Sequence, residues 1–343
     1  MLERKQTSSG VTMKDVAEKA GVSTATVSRT LMNPEKVSAS TRDKVEQALI
    51  AVGYTPQLLS RSAKHNDTHI ILVVVPNICD SFFSEIIRGI EITAAHNGYL
   101  VIVGDCAHQN QWDKLLINLL VTRQIDGMVL LGSRLPFDVR FDEQRYLLPI
   151  VMANEFNPEL KLPTAHIDNL TAAFEAVSHL LKLGHRHIAC ITGPKETGLT
   201  QYRLQGYIQA LRRNGIAIET QWIIQGNCTF EAGKKALHTL VSQPNPPGAI
   251  FCHNDIMALG VIAQAKLMNL RIPEDISVVG FDDIEIAQCS DPPLTTISQP
   301  RFEIGCETMR LLLEQMKGKK ISNESRLLDF TLKIRHSTAV ARR

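Results

Sequence analysis

The pattern of apolar and polar positions changes character near residue 70. Between Thr12 and Val52 apolar residues recur every three or four positions, which predicts three short helices and no strand. Thr12 is placed to cap the first, with Asp15 at the third helical position to complete a capping box, and Gly21 ends it. Ser23 caps a second helix running to about Leu31, where Asn33-Pro34 stops it. Ser38 caps the third, whose Val45, Ala48, Leu49 and Val52 share one face, and Gly53 supplies its stop. Tyr54 to His69 is polar and basic, a linker or a marginal helix.

From Ile70 onward, short apolar runs alternate with amphipathic stretches. The runs Ile70 to Val75, Leu100 to Val103, Met128 to Leu131, Ile150 to Met152, Ile188 to Ile191, Ala249 to Cys252 and Val278 to Phe281 predict strands. Helices are expected at Phe83 to Asn97, Ala172 to Leu183 and Leu204 to Asn214, each followed by glycine or ending next to one. Strands joined by helical crossovers give parallel sheets with helices on both faces. About a dozen alternations exceed one sheet, so two similar lobes are expected, parting near Ile167 to Asn169, with the stretch from Ser298 returning between them. The expected organisation is an all-α headpiece over 11–56, a linker over 57–69, and a two-lobed α/β domain over 70–343.

Composition changes this picture little. The 343 residues, 44% hydrophobic and 21% charged, suit two or three folded units. No apolar run approaches the roughly 20 residues that cross a bilayer. Met1 to Gly10 lacks the apolar stretch of an export signal, so a cytoplasmic, membrane-free protein is expected. Seven cysteines lie tens of residues apart without a Cys-x-x-Cys, which predicts buried thiols rather than disulfides or a metal site. Charge is uneven: residues 1–69 carry ten Lys/Arg against seven Asp/Glu, although the whole chain is only +2. The cationic end is the one that can meet an anionic polymer.

A helix-turn-helix lays its second helix in a major groove roughly 12 Å wide, so that helix needs an apolar inner face and a short or polar outer one. Val16, Ala17, Ala20, Val22, Val27 and Leu31 form the inner set, leaving Ser23, Thr24, Ala25, Thr26, Ser28 and Arg29 outside. Hydroxyls can donate to phosphate or base edges, Arg29 can pair with phosphate or guanine, and Ala25 permits close approach to a thymine methyl. Any three-helix bundle also needs polar outer faces, but a hydroxyl-rich one is a poor choice for helix propensity alone.

Met13 to Arg29, followed by Val37-Ser38, Thr41-Arg42, Gly53-Tyr54 and Pro56, resembles the signature of the LacI/GalR family of bacterial repressors, and the resemblance runs through nearly the whole chain. It implies a periplasmic-binding-protein-like core, a homodimer on a two-fold DNA operator, and Thr24 and Ala25 facing bases. Ser23, Thr26, Ser28, Arg29 and Tyr54 would contact or position the backbone, and Thr12 completes the expected DNA-binding set. Ile78 to Glu91, Gly104 to Gln111 and Tyr202 to Tyr207 resemble members of the family whose effector is the nucleoside cytidine. That resemblance further implies a cyclic-AMP-bound activator protein as a partner on DNA. One departure is Ala63, where relatives insert a leucine wedge into the minor groove; a methyl group predicts less kinking of the operator.

Two α/β lobes form a cleft at the carboxyl ends of their strands, and polar residues there are the ones to weigh: Asp80, Asp105, Asn154, Asp168, Arg203, Asn254 and Asp282. Arg203, read as opening a helix, and Asp282, following a strand, can grip a sugar hydroxyl or base amide, with Phe83 offering an apolar face. The resemblance implies effector contact by Arg203, Asp282, Phe83 and Asn254, while Asp168-Asn169 is read as capping a helix and bracing the lobe junction. Any one such residue can instead simply cap a helix. Relatives often carry an aromatic after Gln225-Gly226; here Cys228 stands there, with Phe230 two residues on.

Catalysis finds no support. Asp282-Asp283 are adjacent and do not face one substrate, no nucleophile elbow or phosphate loop is present, and no cofactor is expected. His185 and His187 are read as surface or packing residues. The expected function is an effector-controlled repressor, with cytidine, a purine or a sugar as effector. A solute-binding protein would share the core fold but needs an export signal and no headpiece.

Overall fold

The computed structural model describes residues 12–32, 36–52, 68–106, 119, 124–132, 148–155, 160–319 and 325–342. Tyr54, Ala63 and most of the expected linker lie outside them. The chain divides into two compact units, Met1–Asn66 and Asp67–Arg343.

The first unit holds α1 (Met13–Ala20), α2 (Thr24–Met32) and α3 (Ala39–Val52). The Asp15 carboxylate accepts from the Thr12 amide at 2.6 Å and its hydroxyl at 2.7 Å, and Gly21 takes φ 66° so that the chain can turn out of α1. Val16, Ala17, Val27, Val45 and Ala48 are buried together, with Leu31, Leu49 and Val52 packed against them. The spacing of apolar residues thus converts directly into one small core.

In the second unit, β1 (Ile70–Val75) lies between β2 (Leu100–Asp105) and β3 (Gly127–Leu130), followed outward by β4 (Ile150–Ala153), β5 (Thr164–Ile167) and β11 (Ser325–Leu328). The second sheet runs β7 (Ile223–Gln225), β6 (Ile188–Thr192), β8 (Ala249–Cys252), β9 (Ser277–Asp282), β10 (Thr295–Ser298) and β12 (Thr331–Lys333). Because helices cover both faces, alternate residues of one strand enter different cores: Ile71, Val73 and Val75 join one, Leu72 and Val74 the other. The sheets are parallel except at one edge, where β12 runs antiparallel to β10. That exception follows from the short connection between β11 and β12, too short for a crossover.

The helices bounded among the described residues are α4 (Phe82–His96), α5 (Asn169–Lys182), α6 (Gly198–Arg213), α7 (Phe230–Val241), α8 (Asp255–Leu267), α9 (Glu285–Cys289) and α10 (Arg301–Met316). The chain passes between lobes at β5–α5, at β10–α10 and at β11–β12, and α10 packs on α4 and beneath β3, β4 and β5. Two expectations change. The helix expected from Leu204 begins at Gly198, which moves Arg203 from a helix start to a helix interior. Nor are the thiols uniformly buried: Cys190 and Cys252 are, but Cys79, Cys228 and Cys289 are exposed.

The C-terminal segment straps the second lobe. Ser337 is fully buried; its Oγ accepts from the Thr295 amide and donates to the Val278 carbonyl, both at 2.7 Å. His185 is buried against the Ala339 carbonyl at 2.9 Å, and exposed His187 lies against Trp222. Ser337→Ala leaves a buried amide and carbonyl short of this partner, so it is expected to lower stability by about 1–3 kcal/mol. An unchanged urea midpoint would show that the strap is dispensable.

Candidate functional site

The headpiece presents α2 by its amino-terminal end. Ser23, Thr24, Ala25 and Arg29 are exposed, while Val27 and Thr30 on the opposite side are buried. Ala25 and Arg29 stand one turn apart. Thr26 and Ser28 are half-buried, and Ser23 Oγ accepts from the Thr26 amide at 3.1 Å and hydrogen-bonds its hydroxyl at 2.9 Å. Ser23 therefore caps the helix, and the Thr26 hydroxyl braces the capping oxygen. Thr12 is exposed at the start of α1.

In the second unit the carboxyl ends of the parallel strands of both lobes carry polar residues, and the most heavily bonded of the predicted site residues is Arg203 on α6. The residue is 6% exposed. Nε donates to Asn169 Oδ1 at 2.9 Å, Nη1 donates to the His253 carbonyl, and Nη2 pairs with Asp282 Oδ1 at 3.7 Å. The guanidinium lies 3.7 Å above the centre of the Phe281 ring. Burial lowers its pKa, and the nearby Asp282 opposes that shift.

Asp282 ends β9. Burial pushes its carboxyl up to about 7, against the opposing pull of Arg203, and the negative charge of Asp80 in the first lobe raises it further. Gln299 Nε2 donates to the same Oδ1 at 2.8 Å. Asp282 and Asp283 adopt φ 119° and 57°, conformations that cost about 1–3 kcal/mol each for residues with a side chain. Asp255 Oδ2 accepting from the Ile284 amide at 2.9 Å, Arg335 paired with Asp283 at 2.6 Å and Arg301 on the Asp283 carbonyl at 2.9 Å hold that turn in place.

Asn254 caps α8, accepting from the Met257 amide at 3.0 Å, and its Nδ2 donates to the Cys228 carbonyl at 3.1 Å. Cys228 sits at φ 64° in the loop before α7, exposed, within electrostatic reach of Arg203, Asp282, Asp80 and Glu155. Phe83 is half-buried in the first lobe, edge-on to Phe82 with centroids 5.2 Å apart. Asp168 caps α5 through the Leu170 and Thr171 amides, while Asn169 turns to Arg203.

The structure therefore joins Arg203 to Asp282, places Asn254 beside Cys228, and leaves Phe83 on the opposite lobe. Sequence reasoning missed His253, Phe281, Gln299 and Arg301. Each lies at a strand end or a lobe crossing, the one signal that pointed to them. No cluster of metal-ligating side chains occurs among the described residues, and none of the described helices is long and apolar enough to cross a membrane.

Residues 12–57 match the family described as bacterial regulatory proteins, lacI family, and residues 177–338 match the periplasmic binding protein-like domain. The chain is 61% identical over 337 residues to the HTH-type transcriptional repressor CytR of Escherichia coli (strain K12), covering 98% of this chain and 99% of that one. It is 35% identical over 312 residues to the HTH-type transcriptional repressor PurR of Vibrio vulnificus (strain CMCP6), covering 90% and 93%. Among solved structures, a complex of the transcriptional regulator CelR with cellobiose superposes with a TM-score of 0.71 at 27% identity, covering 95% of this chain and 99% of that one. A LacI family regulator from Enterococcus faecium with bound ribose gives 0.70 at 26%, covering 80% and 100%. With a helical headpiece, a two-lobed α/β core, and repressors matched along nearly their full length, the chain belongs to the lacI family of bacterial regulatory proteins.

Proposed function

We propose that this chain is a transcriptional repressor that acts in the cytoplasm as a homodimer on a two-fold DNA operator and is released when a nucleoside, cytidine, occupies the cleft. The observation that carries the reading is the 61% identity to the CytR repressor, which extends through headpiece and cleft alike. In this reading the headpiece spans 11–56, the linker 57–69 and the effector-binding core 70–343; the boundary between compact units at Asn66 and Asp67 supports it.

Thr24, Ala25 and Arg29 meet base edges or phosphates, and Thr12, Ser23, Thr26, Ser28 and Tyr54 place the headpiece on the backbone. Arg203, Asp282, Asn254 and Phe83 hold the effector. Closing or shifting the lobes needs a coupling of only about 1–3 kcal/mol to change operator affinity some 5- to 150-fold. A cyclic-AMP-bound activator protein on adjacent DNA is the further partner.

Footprinting over genomic fragments, with and without cytidine, tests the whole. Protection of discrete sites is expected, relieved by cytidine. Losing Arg29 to alanine is expected to weaken binding by about 1–3 kcal/mol if it reads a guanine. Uniform retention of all fragments, indifferent to Thr24, Ala25 and Arg29, would sink the DNA reading. Relief by a purine or a sugar but not by cytidine would overturn the effector alone.

A further inference from the structure

One crossing between the lobes clasps the Asp282-Asp283 turn at two points. Ser298 pairs with Asp282 across the sheet, which brings the next residue, buried Gln299, to the Asp282 carboxylate, where its Nε2 donates to Oδ1 at 2.8 Å. Arg301, the first residue of α10, donates from Nη2 to the Asp283 carbonyl at 2.9 Å. Arg335 holds the same turn from within the second lobe: it pairs with the Asp283 carboxylate at 2.6 Å and donates to the Leu294 carbonyl at 2.8 Å.

The turn is poised to rearrange. Asp282 and Asp283 lie at φ 119° and 57°, conformations that residues with a side chain keep only while their surroundings hold them. A ligand that takes the Asp282 carboxylate competes for it with Gln299 and Arg203, and so disturbs those holds. Arg301 leads from this turn into the first lobe. About one turn further along α10, a Cβ on Gly305 would stand 2.1 Å from the Ile86 carbonyl oxygen of α4, and Gly89 of α4 meets the Phe302 carbonyl in the same way. Backbone seated on backbone has no side chain to absorb a shift, so a displacement at the head of α10 passes to α4. The crossing at Asn169 also touches the site, but it opens α5, which packs on α6 in the second lobe beside Arg203.

We infer that Arg301 is a positioning residue that ties the Asp282-Asp283 turn to the seat of α10 on α4, so that the arrangement of the turn and the setting of the first lobe change together. Its functional consequence rests on the reading that Asp282 holds the effector: Arg301 then relays the effector's arrival without touching it.

The relay is measured as the ratio of operator affinities without and with saturating cytidine, on a fragment protected in footprinting. Saturation removes any change in cytidine affinity from that ratio. It is expected to shrink at least about threefold in Arg301→Met and to recover in part in Arg301→Lys, which keeps a donor for the Asp283 carbonyl. A ratio that Arg301→Met leaves unmoved, whatever its urea midpoint, overturns the inference. So does an Arg301→Met chain to which cytidine no longer binds by calorimetry, since Arg301 would then be a contact of the effector.

Hydrogen exchange on the protein without effector supplies the second arm. Arg335→Met frees the turn from the second lobe, and is expected to speed exchange of amides 86–90 in α4 by about fivefold, scaled to the amides of β8 so that a global loss of stability cancels. In the Arg301→Met background it is expected to add nothing there, because the link is already cut. Arg335→Lys replaces it if the methionine variant does not fold. Exchange at 86–90 that ignores Arg335, or responds to it equally in both backgrounds, overturns the inference. If cytidine relieves no fragment, the effector reading falls, and exchange alone decides.

Discussion

Arg203→Met is expected to destabilise the second lobe by about 3–5 kcal/mol, the loss seen when one partner of a buried ion pair is removed and the other is left in place. Three buried acceptors converge on this one side chain, from residues 169, 253 and 282; each would lose the arginine, and only Asp282 would keep the donor Gln299 Nε2. The double variant Arg203→Met with Asp282→Leu is expected to regain part of that stability, because no uncompensated charge then remains. Effector binding is expected to stay lost in both. Urea denaturation and calorimetric titration separate the two quantities. A single variant as stable as the native chain would mean that water reaches Asp282, and a double variant that still binds effector would remove the pair from the site.

The second large effect concerns two helices that approach through glycine. A Cβ on Gly305 of α10 would stand 2.1 Å from the carbonyl oxygen of Ile86 in α4, and one on Gly89 would stand 2.1 Å from that of Phe302. Two effects of opposite sign compete in Gly305→Ala. Helix propensity favours alanine over glycine by about 0.8–1.0 kcal/mol. Overpacking against backbone, which unlike a flexible side chain cannot turn aside, costs about 1–3 kcal/mol or more. The clash is therefore expected to win, with a net loss of about 1 kcal/mol at the middle of these ranges and a larger one for Gly305→Val. A thermal midpoint that rises in Gly305→Ala would show that the α4–α10 spacing is soft.

What could be read from the chain depended on whether burial was local. β1 and β8 were legible to the residue because Ile70–Val75 and Ala249–Cys252 are continuous apolar runs, the mark of strands covered on both faces. β5, reading Thr-Ala-His-Ile, and β10, reading Thr-Thr-Ile-Ser, carried no such mark. Their polar side chains are accommodated by distant partners, Ser325 for His166 and Asp255 for Thr296. Arg203 was legible as a residue of the site but not in its setting. An arginine inside a helix normally signals a solvated face, and only the three remote acceptors and the Phe281 ring make its burial tolerable. The carboxylates on either side of the cleft were listed individually from their strand-end positions; that Asp80 acts on Asp282 from the other lobe required the fold.

The interleaving of the lobes has a consequence for how the protein is made. A ribosome emits β1 to β5 first, yet that sheet lacks its outer strand and the helix beneath it until Arg301–Met316 and Ser325–Leu328 emerge, after almost the whole of the second lobe. The amino-terminal lobe thus leaves the exit tunnel incomplete and waits, with the edge of β5 uncovered, until those two segments have been made. Premature termination before residue 301 would leave the first sheet without both its covering helix and its outer strand.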